Sequence, residues 1–188
     1  MSAYSWVETK ASANADSTAV TNTVTPTSII HSTAKPVLAA QEIDKSGKVF
    51  LVIAKGRVST VVTTPGTLTL DIRFGSTVVW TSGAITLNVT AQTNAAFALE
   101  VAFTSRSVGS GALATVIGIG SWVSRAVVGS PAVAAGGAGE ILLPDTAPVV
   151  GTGFDSTITQ TVDVFATWSI ANAANSIQSH IAFVQLIN

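Results

Sequence analysis

Few side chains in this sequence could build a metal site or a thiol-based active site. The chain contains two histidines, His31 and His180, and no cysteine. Structural zinc takes four ligands from cysteine, histidine or acidic side chains, so a metal site here would need several carboxylates from elsewhere in the chain. Without cysteine, disulfides and thiol catalysis are excluded as well. The sequence therefore predicts no metal and no cofactor, and it predicts His180 as a partly buried residue of a sheet.

Paired carboxylates are the second kind of catalytic group to consider. Asp71 and Glu100 lie on the polar phases of two predicted strands, and Arg73 and Arg106 lie on the same phases. Cross-strand ion pairs account for such residues without an active site. A glycosidase, in contrast, needs two carboxylates that face one cleft. We interpret these four residues as ion-pairing groups on the outside of a sheet.

Serine and glycine motifs also point away from catalysis. Gly109-Ser-Gly111 lacks the Gly-x-Ser-x-Gly spacing of a nucleophile elbow, and the sequence predicts no strand–helix turn to hold one. Gly118-Ile-Gly120 lies within a strand pattern rather than before a helix, so it is not a phosphate-binding loop. Its glycines instead indicate a bulge or close packing against a neighbouring backbone. We predict that the protein is not an enzyme.

Two aromatic residues on the unexpected phase of their strands are more informative. Phe165 lies on the phase opposite to Val164, and Trp122 lies on the phase opposite to Ile117 and Ile119. One face of each strand is expected to meet a core, and the other face to meet water or a partner. Exposed aromatic rings are typical of interface anchors, or of platforms that bind carbohydrate. Trp122 and Phe165 are therefore candidate interface residues.

The elements that must position these side chains are strands, because the hydrophobic pattern has a period of two from Thr27 onward. Lys48–Ser59 is apolar on both phases at its start, which indicates a central strand, and Gly75-Ser76 reads as the turn of a hairpin. The last strand is predicted to run through Ile177, Ile181, Phe183 and Ile187. The other predicted strands have alternating apolar residues, which are Leu68, Leu70, Ile72 and Phe74; Phe97, Leu99, Val101 and Phe103; Leu113, Thr115, Ile117 and Ile119; and Val162, Val164, Ala166 and Trp168.

About eight strands without a convincing helix indicate an all-β protein, an antiparallel β-sandwich of the jelly-roll type. The Gly-, Pro- and Ala-rich stretch 128–156 is predicted as a long loop with a short strand at Glu140–Pro144. Residues 1–35 are predicted as an extended N-terminal arm, and residues 36–188 as the sandwich domain. The arm is either a frayed terminus or a segment that orders on a partner, with Tyr4 and Trp6 as anchors.

The composition restricts the function further. Hydrophobic residues make up 47% of the chain but charged residues only 10%, and 9 Lys and Arg stand against 10 Asp and Glu. This balance argues against binding to nucleic acid through a basic face. No signal peptide and no apolar run of membrane-spanning length is visible, so no membrane partner is predicted. A surface this poor in charge is expected to carry neutral hydroxyl groups and to be covered in an assembly.

Several segments in order along the chain resemble a recurrent class of tailed-phage virion proteins. The resemblance covers roughly residues 36–188 and implies a jelly-roll protein similar to head decoration (cement) proteins or head fibres, often trimeric. It implies the major capsid protein as a partner, a location on the capsid exterior after assembly in the host cytoplasm, and no active site. The matching segments are Gly56–Thr60, Pro65–Gly75, Trp80–Ile85, Asn94–Glu100, Thr104–Gly109, Gln160–Ser169 and Ala173–Ser176.

Three functions follow as expectations. The first is a trimeric decoration protein that clamps capsid subunits, with the N-terminal arm tying it to the shell. The second is a head-fibre or tail receptor-binding domain that holds host glycans through Trp80 or Trp122. The third is a jelly-roll enzyme acting on glycans, which the scarcity of titratable groups disfavours.

Overall fold

β-Branched and aromatic residues that alternate with small polar ones place most of the chain in strands. The computed structural model describes residues 6–61, 64, 66–128 and 138–187. One short 3-10 turn, Ser32–Ala34, interrupts the strands. The strands are β1 (Val7–Ser12), β2 (Val20–Thr21), β3 (Thr27–Ser28), β4 (Val37–Leu38), β5 (Val49–Thr60), β6 (Thr67–Phe74), β7 (Thr77–Thr86), β8 (Gln92–Ser107), β9 (Thr115–Val128), β10 (Ala138–Leu143), β11 (Gln160–Trp168) and β12 (Ser176–Ile187).

The strands form two antiparallel sheets that pack face to face, as the sequence predicts. The larger sheet has the order β1-β12-β5-β8-β9-β10, with β2 also pairing with β12. The smaller sheet has the order β3-β11-β6-β7, with β4 also pairing with β11. The chain changes sheet between β2 and β3, between β4 and β5, between β5 and β6, between β7 and β8, and on either side of β11. Without β9 and β10, this strand order is that of a jelly roll, and the β9–β10 pair widens the larger sheet beyond β8.

The core lies between the two sheets and is rich in aromatic rings. Phe50 and Phe154 both pack edge-on against Phe74, with ring centroids 6.1 Å and 4.9 Å away. Inward residues of β6 and β11 fill the space on the other side, and they are the residues that the period of two predicts. The residues of these two strands that are buried in the core are Leu68, Leu70, Ile72, Phe74, Val162, Val164, Ala166 and Trp168.

The N-terminal segment is extended, and its described residues are built into the sandwich. β1 pairs with β12 along the edge of the larger sheet, and β3 pairs with β11 in the smaller sheet. Between them, Ser17 exchanges backbone and side-chain hydrogen bonds with Ser179, and the Val20 carbonyl accepts a hydrogen bond from the Trp168 indole N–H. The sandwich therefore begins before residue 36, where the sequence places the start of the domain.

An ion pair also holds the first strand. The Lys10 ammonium contacts the Glu42 carboxylate at 2.5 Å and the Glu8 carboxylate at 3.2 Å. The hydrogen bond to Glu42 is the main cause of a pKa for Lys10 above its usual value. These contacts join β1 to the loop that precedes β5.

The predicted inward face of β9 is wrong. Its buried positions alternate through Val116, Gly118, Gly120 and Trp122, whereas Ile119 faces outward. The glycines make room for larger neighbours, because a Cβ atom on Gly118 would lie 2.6 Å from the Phe103 ring. Small residues therefore occupy the core side of this strand, and its isoleucine faces away from the core.

A bulge reverses the phase of β12 halfway along the strand. Its register with β5 shifts between Ser179 and Ile181. Ile177 is buried before the bulge, but after it Ala182 and Val184 face the core, whereas Ile181 is exposed. The strand itself is confirmed, but Ile177 and Ile181, which a period of two places on one face, lie on opposite faces, because a one-residue insertion exchanges the two faces.

Candidate interaction surface

Three strands of the larger sheet are apolar on both faces, which is the pattern of a sheet that is covered on both sides. On β5, Phe50 and Val52 point into the core, whereas Val49, Leu51 and Ile53 point away from it. Ile53 is buried but does not belong to the core cluster between the sheets. The side of the larger sheet that points away from the core is called the outer face below.

The strand register places the outer-face residues in rows that cross the sheet. One row contains Phe183, Ile53, Glu100, Ser121 and Leu142, from β12 to β10. The neighbouring rows are Gln185, Leu51, Ala102 and Ile119; Ile187, Val49, Thr104 and Ile117; and Ile181, Lys55, Ala98, Val123 and Glu140.

Many of these apolar side chains are open to solvent. Single exposed hydrophobic residues are normal on a protein surface, but a contiguous set marks a binding surface. Here the register makes them neighbours, from β12 through β5, β8 and β9 to β10. The most exposed are Leu142 at 72%, Ile181 at 55%, Ile119 at 53% and Val123 at 43%, with Val7 on β1 at 58%.

The outer face is large enough for a specific protein contact. Six strands about 4.8 Å apart, followed for eight residues at about 3.3 Å each, span roughly 750 Å². A standard protein–protein interface covers roughly 800 Å² on each partner. The outer face alone is therefore close to one side of such an interface.

Charged residues are sparse on this face, and they form no ion pair in the part of the chain that the structure describes. Lys55, Glu100 and Glu140 are exposed, and none of them forms an ion pair among the described residues. Arg57, at the end of the face, donates two hydrogen bonds to the Gln178 side chain. The predicted pairing of Glu100 with an arginine across the strands is thus not formed.

The structure corrects one of the four candidate interface residues. Trp122 is only 1% exposed and stacks on Phe97 with a centroid distance of 4.6 Å, so its prediction as an exposed anchor is wrong. It is buried because Trp122 lies on the same side of β9 as Gly118 and Gly120, and this side faces the core. Trp6 is exposed just before β1, whereas Tyr4 lies outside the described residues.

Phe165 is half-buried on the outside of the smaller sheet, where it contributes to a polar cluster. The Arg73 guanidinium lies 4.2 Å above its ring and 3.5 Å from the Asp71 carboxylate. Asp163 accepts hydrogen bonds from Lys35 and from the Ser28 hydroxyl. Positive and negative groups balance in this cluster, and Arg73 covers one face of the ring, so the cluster presents no free aromatic platform on that face.

Trp80, the other predicted sugar-binding residue, is also buried. It is 5% exposed, and its indole N–H donates to the Gly118 carbonyl at 3.1 Å. With Trp122 buried as well, neither indole ring presents a face on which a sugar could stack. The glycan-binding role that the sequence assigns to these two residues therefore has no platform in this fold.

The two histidines lie in separate surroundings. His180 contacts the Asp16 carboxylate at 2.9 Å, and the His31 ring lies 2.9 Å from the Thr33 hydroxyl. Within the described ranges, no three His, Asp or Glu side chains are grouped in a way that could hold a metal ion. His180 is partly buried in the sheet, as the sequence predicts.

No protein family, curated protein or solved structure matches the chain. The part of the chain that the structure describes contains no helix with the length and hydropathy needed to cross a membrane. The outer face is therefore the candidate functional surface on the strength of its own residues.

The sequence signal that could have revealed the outer face is the apolar character of both phases in β5, β9 and β12. The exposure of Leu142 and Ile181 could not be predicted from the sequence.

Proposed function

We propose that this is a structural protein that works by covering the outer face in an assembly, and that the assembly is a phage virion. The observation that carries the proposal is the apolar outer face of the larger sheet, on which Leu142, Ile119 and Ile181 are more than half exposed. Large apolar side chains that lie exposed together on one face of a sheet are typical of protein interfaces rather than of isolated monomers.

The specific form of the proposal is a decoration protein on the outside of a phage head. It rests on the sequence resemblance, which implies a homotrimer bound to the major capsid protein. Such a protein acts as a clamp, because it adds contacts across the joints between capsid subunits and thereby opposes internal pressure. Low charge and hydroxyl-rich strands are consistent with this role, because neither hinders close packing of one protein surface on another.

In this proposal the N-terminal segment is part of the folded domain that binds the capsid, and it is not a separate arm. β1 forms one edge of the larger sheet, and Trp6 and Val7 are exposed at its start. Val7 pairs with Ile187 of the outer face and therefore extends that face to the sheet edge, and Trp6 lies exposed beside it. A partner that covers the outer face would also contact the beginning of the chain.

The native mass of the purified chain, measured across a concentration series, tests assembly. A mass above 19.1 kDa is expected, and three times that value supports the homotrimer. Ile119→Glu should shift the protein to monomers without unfolding it, since Ile119 is exposed in the single chain but would place an unpaired carboxylate in the contact. Ile158→Glu is the matched control, because Ile158 has the same exposed fraction as Ile119, 53%, but lies in the segment before β11 of the smaller sheet.

Binding to emptied phage heads tests the specific form. Wild-type protein should cosediment with heads of the parent phage and raise their thermal stability, and Ile119→Glu should do both less well. A protein that assembles but leaves the heads unbound would be a fibre or receptor-binding component instead. A wild-type monomer that also fails to bind heads would refute the proposal.

A further inference from the structure

We propose that the outer face is covered by the same face of a second copy, related by a two-fold axis that runs along the strands between β8 and β9. In this contact Lys55 of each copy pairs with Glu140 of the other. The inference rests on the first part of the proposed function, that the outer face is covered in an assembly. It names the partner as a second copy and replaces the trimer that the resemblance implies with an even-numbered assembly. Its evidence is the arrangement of charge and side-chain size about that line.

The charges are placed symmetrically about the proposed axis. Lys55 on β5 and Glu140 on β10 lie in the same row, joined by Ala98 and Val123. Three strand spacings, about 14 Å, separate them, so they are too far apart to pair within one chain. Each lies one and a half spacings from the line between β8 and β9. Rotation by 180° about that line therefore brings Lys55 of one copy opposite Glu140 of the other.

The same rotation matches large side chains with small ones. β8 presents Ala98 and Ala102 on the outer face, and their register partners on β9 are Val123 and Ile119. The two-fold axis sets each β8 residue against the copy of its own β9 partner, so Ile119 of one chain meets Ala102 of the other. A shallow depression that Ala98, Val123 and Glu140 help to line lies where Val123 of the second copy would fit.

The row that contains Ile53, Glu100, Ser121 and Leu142 is complementary as well. Leu142, the most exposed side chain of the face, meets Ile53 of the other copy, which adds an apolar contact at each end. Glu100 meets Ser121, whose hydroxyl is a donor for the carboxylate. Directly opposite positions in these rows carry no like charges. The two Glu100 carboxylates lie on either side of the axis, about 4.8 Å apart laterally, and each faces a Ser121 hydroxyl. An isologous contact requires a surface that is complementary to itself in this way.

The area of this contact is sufficient for specific association. Four strands overlap in the arrangement, from β5 to β10, and give roughly 500 Å² per copy and about 1,000 Å² in total. That total reaches the lower bound expected of a specific interface. Aligned packing of two twisted sheets about 10 Å apart is also a common geometry of sandwich cores.

Charge reversal tests the pairing with three variants: Lys55→Glu, Glu140→Lys and the two combined in one chain. Each single variant should raise the dissociation constant roughly tenfold or more, and the double variant should return it close to the wild-type value. Lys45→Glu is the control, because it makes the same charge change at an exposed position on the loop before β5. Melting curves at low concentration confirm that each variant is folded.

The outcomes separate this inference from the proposed function. A native mass of two or an even number of copies, with rescue in the double variant, supports the two-fold contact. A double variant whose dissociation constant is as high as that of the single variants overturns the Lys55–Glu140 pairing. If Ile119→Glu still weakens assembly in that case, the outer face remains the interface. A mass of three copies overturns the two-fold contact and leaves the proposed trimer standing. Charge variants and Ile119→Glu without any effect would overturn both.

Discussion

Gly118→Ala should destabilise the fold by overfilling the core beside β9. The new Cβ atom would lie 2.6 Å from two carbons of the Phe103 ring and 2.9 Å from Cδ1 of Trp80. Both rings are buried, so neither can swing into solvent. Overpacking of this kind costs about 1–3 kcal/mol, and the reduced flexibility of the unfolded chain offsets about 0.5–1 kcal/mol. The expected net loss of about 1–2 kcal/mol corresponds to a fall in Tm of about 2–8 °C.

Urea denaturation followed by tryptophan fluorescence measures this loss, at one fixed protein concentration because assembly also contributes to stability. Phe103→Leu provides the test of cause, since it removes ring atoms from the crowded site. The double variant should lose less free energy of unfolding than the two single variants lose together, by at least about 0.5 kcal/mol. A Gly118→Ala protein as stable as wild type, or strictly additive losses, would refute the explanation of why β9 turns its glycines inward.

Three further predictions concern the fold. Gly56→Ala should prevent the normal pairing of β5 and β12 or unfold the protein, because its Cβ would lie 1.9 Å from the Gln178 carbonyl oxygen at the bulge; a wild-type circular dichroism melt would contradict this. Deletion of residues 1–13 should lower Tm, because it removes β1 from the edge of the larger sheet, and an unchanged Tm would show that this strand does not stabilise the sandwich. Asp155 accepts hydrogen bonds from the Thr157 hydroxyl and from the backbone N–H groups of Gly111 and Thr157, and these hold its pKa below the usual 3.8. Its stabilisation is therefore present above about pH 3.8 and is lost as the pH falls through the folded-state pKa, so Asp155→Ala should melt lower than wild type at pH 7 and approach it near pH 2. A constant difference between these pH values would contradict that assignment.

Regular alternation was sufficient to predict β6 and β11, the two central strands of the smaller sheet. β6 and β11 carry apolar residues at every second position, and Gly75 adopts the positive φ that the turn between β6 and β7 requires. In these strands only one face is apolar, so the period of two identifies the inward side without ambiguity. Fold class, the hairpin and most of the core on this side follow from that pattern alone.

Strands with two apolar faces could not be oriented from the sequence. In β9 both Ile119 and Val116 fit a core, and the inward side is decided by the size of the rings on β7 and β8, which are distant in sequence. In β12 the bulge at Ser179 depends on Ser17 and Gly56, which also lie far away along the chain. The same ambiguity concealed the outer face, because apolar residues on either side of such a strand fit a core equally well.

The N-terminal strands escaped prediction for a different reason. β2 and β3 contain two residues each, too few for a periodic pattern, and β1 is a polar edge strand with a bulge. Their place in the sheets is set by backbone hydrogen bonds to β11 and β12, which carry no signature in side-chain type. Composition alone therefore made this segment resemble a free arm.

The most direct test of the outer face as the assembly surface is the reactivity of a single thiol placed on it. The chain has no cysteine, so an Ile119→Cys variant and an Ile158→Cys control each carry one reactive group. At a concentration low enough to dissociate the assembly, both thiols should react with a soluble maleimide at similar rates, because both positions are exposed in the single chain. As the concentration rises, the rate for Ile119→Cys should fall in proportion to the dissociated fraction, and the control rate should stay constant. Equal and unchanging rates at a concentration where the variant is oligomeric would contradict the account.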